Sequence, residues 1–127
     1  MWGKRVHVRS SMKSKDAQFN CFIGRWQILH EGHKQLFQQV LDAGENVLIM
    51  IRDVEPDERN PLTATEVFSN IHDHYKDLIK AGRVKVIKIP DIKSVNFGRE
   101  VGYDIVEWIP PQEIAEISAS KIREQNK

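Results

Sequence analysis

The 127-residue sequence has little of several features that would assign a protein to a class at once. Its one cysteine, Cys21, excludes an internal disulfide, as is usual in a reducing compartment. No apolar run is long enough to span a membrane, and the N-terminus lacks the apolar centre of a secretory signal. Because the net charge is only +1, the composition favours neither a nucleic-acid nor a membrane partner. We therefore expect a cytoplasmic protein with a single core.

Residues 1–18 differ in composition from the rest of the chain and are interpreted as a basic N-terminal extension. Apolar residues are sparse there, and Asp16 is outnumbered by basic residues, namely Lys4, Arg5, Arg9, Lys13 and Lys15. Val6 and Val8 alternate with charged neighbours, which indicates a short edge strand. A mobile basic arm fits the same composition equally well, so both alternatives stay open.

From Phe19 onwards, apolar periodicity predicts alternating strands and helices. The predicted strands cover residues 19–24, 46–51, 84–89 and 101–108, and the predicted helices cover residues 31–43 and 63–81, with a short helix opened by Ser118. This alternation predicts an α/β fold, a single domain with a Rossmann-like parallel sheet and helices on both faces. Ligands of such sheets bind beyond the carboxyl ends of the strands, so the first strand-to-helix turn is the first candidate site.

That turn, residues 24–33 with the sequence GRWQILHEGH, contains two histidines three residues apart and two glycines. If the helix begins near Glu31, His30 lies just before it and His33 lies in its first turn. Backbone N–H groups and the helix dipole favour a phosphate at such an N-terminus. Gly24 and Gly32 would let the backbone approach that phosphate closely.

Gly-Arg-Trp-Gln followed by His-Glu-Gly-His resembles the signature of the HIGH-motif nucleotidyltransferase superfamily. This superfamily includes nicotinamide-mononucleotide adenylyltransferases, phosphopantetheine adenylyltransferases and glycerol-3-phosphate cytidylyltransferases. The resemblance implies that residues 19–127 form a nucleotidyltransferase domain. It also implies that His30 and His33 are catalytic, because those positions hold the triphosphate and stabilise the transition state, and that Gly24, Arg25 and Gly32 bind the nucleotide.

A second segment, residues 117–123 with the sequence ISASKIR, resembles the I-S-x-[ST]-x-x-R signature near the C-terminus of the same superfamily. Ser118 is a favourable N-cap residue and Ser120 would follow in the first turn, so their hydroxyls and nearby N–H groups suit phosphate. Arg123 would contact a phosphoryl oxygen through its planar guanidinium. The resemblance therefore implies nucleotide-binding roles for Ser118 and Ser120 and a catalytic role for Arg123.

The resemblance implies a reaction in which a small phosphate-bearing acceptor attacks the α-phosphorus of ATP or CTP directly and pyrophosphate leaves. Mg²⁺ is expected with the triphosphate, and no protein ligand to a metal is identified. Self-association of the chain is left open.

The transferred group is predicted to be AMP. Residues 24–27 and the segment 60–64, NPLTA, resemble the corresponding stretches of nicotinamide-mononucleotide adenylyltransferases. Those enzymes continue with Gly-Glu-Arg, whereas this chain has Thr65, Glu66 and Val67, and Arg52 and Arg59 are the nearest replacements for the missing arginine. The short chain and the ISASKIR segment also resemble glycerol-3-phosphate cytidylyltransferase, which makes CMP transfer the alternative.

Two further classes of protein fit part of the sequence. One is a non-catalytic nucleotide-binding protein with the same fold. The other is a metal-binding module that uses His30 and His33, for which Cys21, His72 and His74 are the nearest further ligands by type, although their spacing matches no familiar zinc site. A dinucleotide oxidoreductase is disfavoured, because no G-x-G-x-x-G follows a predicted strand.

Overall fold

The computed structural model describes residues 1–9, 18–27, 29–98 and 102–111. Contacts divide the chain into two compact units, of which one is Gln18–Val95 and the other joins Met1–Ala17 to Asn96–Lys127. The first unit contains three strands and three helices: β2 (Phe19–Gly24), α1 (Glu31–Asp42), β3 (Asn46–Asp53), α2 (Ala64–His74), α3 (Lys76–Lys80) and β4 (Val84–Pro90). The second unit contains β1 (Gly3–Val8) and β5 (Ile105–Ile109). The short helix predicted from Ser118 lies outside the described residues.

The sheet of the first unit has three parallel strands in the order β2-β3-β4. In its register Gly24 lies beside Ile51, and Asp53 lies beside Pro90. The carboxyl ends of all three strands therefore lie at one edge, from which the chain continues into α1 and α2. The predicted α/β fold with a Rossmann-like parallel sheet is confirmed.

Helices α1 and α2 cover the same face of this sheet. Their two crossovers step in the same direction across the strands, and parallel crossovers are right-handed, so the helices lie side by side. Phe37 of α1 packs against Phe22 of β2 with ring centroids 5.2 Å apart, and against Tyr75 at the end of α2 with centroids 6.3 Å apart. Helices were predicted on both faces of the sheet, whereas α1 and α2 both lie on this one.

The burial of β3 agrees with this arrangement. Val47, Ile49 and Ile51 are fully buried, whereas the intervening Leu48 and Met50 are only half-buried. Ile49 is the register partner of Phe22, so the buried set points towards the helices. The core of this unit consequently lies between β3 and the two helices.

Helix α2 begins as predicted and ends earlier than predicted. Thr63 is its N-cap, and Thr63 and Glu66 form the reciprocal hydrogen bonds of a capping box. The chain leaves helical geometry at Tyr75, with φ −106° and ψ 17°, before α3 begins. Periodicity could not reveal this break, because Leu78 and Ile79 continue the apolar pattern beyond it.

At the opposite edge of the sheet, Arg83 holds the end of α1 to the start of β3. Its Nη2 donates to the carbonyl oxygens of Leu41 and Glu45, both at 2.9 Å, and its Nε donates to Asn46 Oδ1 at 2.9 Å. Charge-assisted hydrogen bonds are stronger than neutral ones, so this guanidinium stabilises the amino-terminal edge of the sheet. This amino-terminal edge has a structural role, and the candidate site is expected at the carboxyl edge of the sheet.

In the second unit, β1 pairs with β5 in an antiparallel ladder that joins Gly3 to Ile109 and Val6 to Val106. Of the two alternatives left open for the N-terminal residues, the structure shows the strand. Glu107 accepts a hydrogen bond from His7 at 2.9 Å, which, together with the nearby charge of Arg5, holds the pKa of this exposed carboxyl below its ordinary value. No helix among the described residues has both the length and the apolarity needed to cross a bilayer.

Candidate functional site

The turn between β2 and α1 is shaped by Trp26, whose backbone has a φ of +51°, in the left-handed region that side chains other than glycine rarely adopt. Its indole Nε1 donates to the carbonyl oxygen of Met50 on the neighbouring strand at 3.0 Å. The ring lies across Gly24, where an added Cβ would stand 3.0 Å from Trp26 Cε2. The space that the missing Cβ of Gly24 leaves is thus filled by Trp26, and the predicted approach of a phosphate to this backbone stays a prediction.

His30 is the N-cap of α1, with the extended backbone typical of that position. Its Nδ1 accepts a hydrogen bond from the backbone N–H of His33 at 3.3 Å. A neutral imidazole that accepts at Nδ1 carries its proton on Nε2. The hydrogen-bond network therefore assigns Nε2 as the donor atom of a neutral His30 ring.

His33 lies in the first turn of α1, and its ring stacks on that of His30 with centroids 3.6 Å apart and an interplanar angle of 19°. The edge of Trp26 supports the ring of His33 from another side, with centroids 5.0 Å apart. Trp26 in turn packs against Phe37 with centroids 5.4 Å apart. Trp26 therefore links the histidine pair to Phe37 of the core.

The N-terminus of α1 offers a ligand fewer N–H groups than an uncapped helix. The N–H of His33 donates to both the carbonyl oxygen and the ring of His30, and the N–H of Lys34 also donates to the His30 carbonyl. Gly32 is buried in the first turn. A phosphate at this end would therefore be recognised by imidazole as well as by backbone.

Arg25 contacts the connection between β3 and α2. Its Nη2 donates to the carbonyl oxygen of Glu55 at 3.2 Å, and its Nη1 lies 3.5 Å from Asp57 Oδ2, with 20% of the side chain exposed. The carboxylate of Asp57 also accepts from the N–H groups of Asn60 and Arg59. Chiefly through the Asn60 N–H, and to a smaller extent through Arg25, these contacts lower the pKa of Asp57.

The N-terminus of α2 differs from that of α1 in charge and in capping. The Glu66 carboxylate accepts from the N–H and hydroxyl of Thr63, so a negative charge already lies at this helix end. Val67, at the position of the arginine in the related adenylyltransferases, is 1% exposed and packs in the core. This helix end is therefore the less suitable of the two for a phosphate.

The predicted replacements for that arginine lie in β3 and in the loop that follows it. Arg52 pairs with Asp91 beyond the neighbouring strand end, with Nε donating to Oδ1 at 3.0 Å. Arg59 is exposed in the loop that follows β3.

A cleft of about 320 Å³ opens between α1 and α2 beside the histidine turn. Trp26, Gln27 and Leu29 line one side of it, and Lys34 and His74 contribute polar atoms. Its described lining includes neither His30 nor His33, so the cleft is a neighbouring feature rather than the position of the predicted triphosphate.

The structure brings five predicted site residues into one turn and its flanks: Gly24, Arg25, His30, Gly32 and His33. The others, Ser118, Ser120 and Arg123, lie outside the described residues, so their approach to this turn stays a prediction. Within the described ranges, no three His, Cys, Asp or Glu side chains are grouped so that they could hold a metal ion.

Residues 21–105, about two thirds of the chain, match the family model described as cytidylyltransferase-like. The chain belongs to this family. The matched range contains the histidine turn, the Arg25 contacts and the capping box of α2. No curated protein matches the chain.

Membership of the cytidylyltransferase-like family confirms the resemblance to the HIGH-motif nucleotidyltransferase superfamily. It supports nucleotidyltransferase activity in general, without distinguishing adenylyl from cytidylyl transfer.

One contact beside the histidine turn, made by the side chain of Gln27, was not predicted from the sequence. Its amide binds the backbone of Leu62 on the next strand-to-helix connection. No periodicity or spacing indicates a contact between residues that are 35 positions apart.

We expect Gly24→Ala to lower the free energy of unfolding by about 1–3 kcal/mol, because the new methyl group would displace a ring held by the Met50 carbonyl. Urea denaturation measures this change. Gly98→Ala is the matched control, since a Cβ there meets nothing within 4 Å. Equal stability of the two variants would show that Trp26 does not constrain Gly24.

Proposed function

We propose that this protein transfers AMP from ATP to a small phosphate-bearing acceptor and releases pyrophosphate. The observation that carries the proposal is the stacked pair His30 and His33 at the N-terminus of α1. This pair follows the carboxyl end of a parallel strand in a chain of the cytidylyltransferase-like family. In open parallel sheets that position is the usual place for a ligand.

The proposed reaction is a single displacement. An oxygen of the acceptor phosphate forms a bond to the α-phosphorus, and the bond from that phosphorus to the oxygen bridging to the β-phosphorus breaks. The electron pair of the broken bond leaves with pyrophosphate, and no covalent bond to the protein forms. The protein contributes position and electrostatic stabilisation, as in other phosphoryl-group transfers.

Both histidines suit the role of hydrogen-bond donor in neutral form. Two unit charges 4 Å apart repel by about 4 kcal/mol at an effective dielectric constant of about 20. The ring centroids of His30 and His33 are 3.6 Å apart, so two positive charges here would repel one another, and donation by neutral rings is what we propose. Neutral His30 with its proton on Nε2 donates without the cost of bringing a second charge into the turn.

The donors are also held in place before a ligand arrives. His30 is fixed by its cap hydrogen bond, and His33 is fixed between His30 and Trp26. Fixed donors need no reorganisation when charge develops in the transition state, which is why they are effective.

The second signature completes the proposed site. Ser118, Ser120 and Arg123 are proposed to bind the β- and γ-phosphates, and the triphosphate is proposed to enter as its magnesium complex. The acceptor is proposed to attack from the side opposite the leaving pyrophosphate.

AMP transfer is proposed over CMP transfer because of two segments that contact one another in the structure. Gln27, the last residue of GRWQ, binds Leu62 at the centre of NPLTA, and both segments resemble those of nicotinamide-mononucleotide adenylyltransferases. CMP transfer to glycerol 3-phosphate is the second candidate, favoured by the ISASKIR segment and the short chain.

A pyrophosphate-release assay with magnesium tests the proposal. ATP and CTP are each paired with nicotinamide mononucleotide, glycerol 3-phosphate and phosphopantetheine. We expect release with ATP and one of these acceptors, well above the rate without acceptor. Release with CTP alone would replace AMP transfer by CMP transfer. Triphosphate binding without release in any pair would favour the non-catalytic nucleotide-binding protein.

His30→Asn separates the capping role of this residue from its proposed chemistry. Asparagine is among the best N-cap residues, so stability should change by less than about 0.5 kcal/mol, while the loss of the imidazole donor should lower turnover by roughly 100-fold. His72→Asn, an exposed histidine of α2, is the control for the same substitution. Turnover of His30→Asn equal to that of the control would remove His30 from the catalytic residues.

A further inference from the structure

Both polar atoms of the Gln27 side chain are used on a single residue of another loop. Its Nε2 donates to the carbonyl oxygen of Leu62 at 3.0 Å, and its Oε1 accepts from the N–H of Leu62 at 2.9 Å. The side-chain amide thus binds Leu62 in the way that a backbone amide of a neighbouring strand would. All of these atoms are partly buried, where a lost partner is more costly than at the surface.

The two residues that this contact joins are close to the ends of two helices. Gln27 stands three residues before His30, the N-cap of α1, and Leu62 immediately precedes Thr63, the N-cap of α2. The hydrogen bonds therefore connect the two strand-to-helix turns at the carboxyl edge of the sheet.

The loop that contains Leu62 depends on such contacts. Between β3 and Thr63 the described backbone–backbone hydrogen bonds are the reciprocal pair between Asp57 and Asn60. Arg25 contacts Glu55 and Asp57 in the same loop, and Gln27 contacts its last residue. Two residues of the β2–α1 turn therefore hold both ends of this loop.

We propose that Gln27 is a positioning residue of the nucleotidyltransferase site. It holds the β3–α2 loop against the β2–α1 turn, so that His30 and the NPLTA segment keep one fixed relative position. Gln27 itself is not assigned a contact with the reacting phosphates. This inference rests on the proposed function, since it is the transfer reaction that requires the fixed geometry.

The expected signature is a loss of turnover that exceeds the loss of substrate binding. A misplacement of about 1 Å costs on the order of 100-fold in rate when a reaction depends on alignment. For Gln27→Leu we expect kcat to fall by roughly 10- to 100-fold and the KM for the triphosphate to change by less than about 3-fold.

Gln27→Glu is the intermediate variant: its carboxylate still accepts from the N–H of Leu62, but it loses the donor to the Leu62 carbonyl and places a second oxygen opposite that carbonyl. Gln38→Leu is the matched control, since Gln38 is exposed on α1 and also donates a side-chain hydrogen bond, to Asp42 at 2.8 Å. We expect kcat to decrease in the order Gln38→Leu, Gln27→Glu, Gln27→Leu.

Amide hydrogen exchange at Leu62, measured by NMR, reports the contact without reference to activity. In the parent protein and in Gln27→Glu the Leu62 N–H should be protected, and in Gln27→Leu it should exchange at least ~5-fold faster. If Gln27→Leu does not fold, the kcat of Gln27→Glu is compared with that of Gln38→Leu. A lower kcat for Gln27→Glu supports the positioning role of Gln27, and an equal kcat contradicts it.

Different results would contradict the proposed function and the positioning role of Gln27. A parent protein that turns over none of the substrate pairs contradicts the proposed function. An active parent whose kcat is lowered no more by Gln27→Leu than by Gln38→Leu contradicts the positioning role alone. An unprotected Leu62 N–H in the parent contradicts the contact itself, whatever the reaction.

Discussion

The indole of Trp26 lies across Gly24 and donates its N–H to the carbonyl of Met50, and the geometry of the whole histidine turn follows from this contact. To place its ring there, Trp26 adopts a φ of +51°, a conformation that costs on the order of 1–3 kcal/mol. The strain is offset by a hydrogen bond and by packing against Phe37 in the core. The same ring supports His33, so the position of the proposed catalytic pair depends on Trp26.

The two helix ends at the carboxyl edge of the sheet differ in their caps. At α1 the cap is an imidazole that accepts one N–H, whereas at α2 a capping box places the carboxylate of Glu66 at the helix end. Since the dipole of both helices favours an anion, the side chains decide which end can receive one. The phosphate site is therefore expected at α1, with the loop before α2 held in register by Arg25 and Gln27.

Much of the fold could be predicted from the sequence because β2, β3 and α1 have clear apolar patterns. The predicted strand over 19–24 agrees with β2 as observed, and the capping box at Thr63 marks the start of α2. The break at Tyr75 could not be predicted, because apolar residues continue at helical spacing across it. The histidine turn was predicted from its motif, and its helix begins at Glu31 as expected.

The details of the site were less predictable, because they depend on contacts between distant residues. The contact of Gln27 with Leu62 and the ring of Trp26 over Gly24 both arise from tertiary packing, which neither motif nor periodicity encodes. The nucleotide-binding role of Gly24 stays a prediction, although the space that its missing Cβ leaves is filled by Trp26. The position that would hold an arginine in related adenylyltransferases contains Val67, and its burial shows that the chain uses it for packing.

The most direct test of the account compares the two helix ends in a single titration of the ¹⁵N-labelled protein with magnesium–ATP. We expect the largest chemical-shift changes at the amides of Glu31, Gly32 and His33 and at the ring of His30. The amides of Ala64 and Thr65, beside the Glu66 carboxylate, should change little. Changes concentrated at Ala64 and Thr65, with the His30 ring unaffected, would contradict the assignment of the triphosphate to the histidine turn.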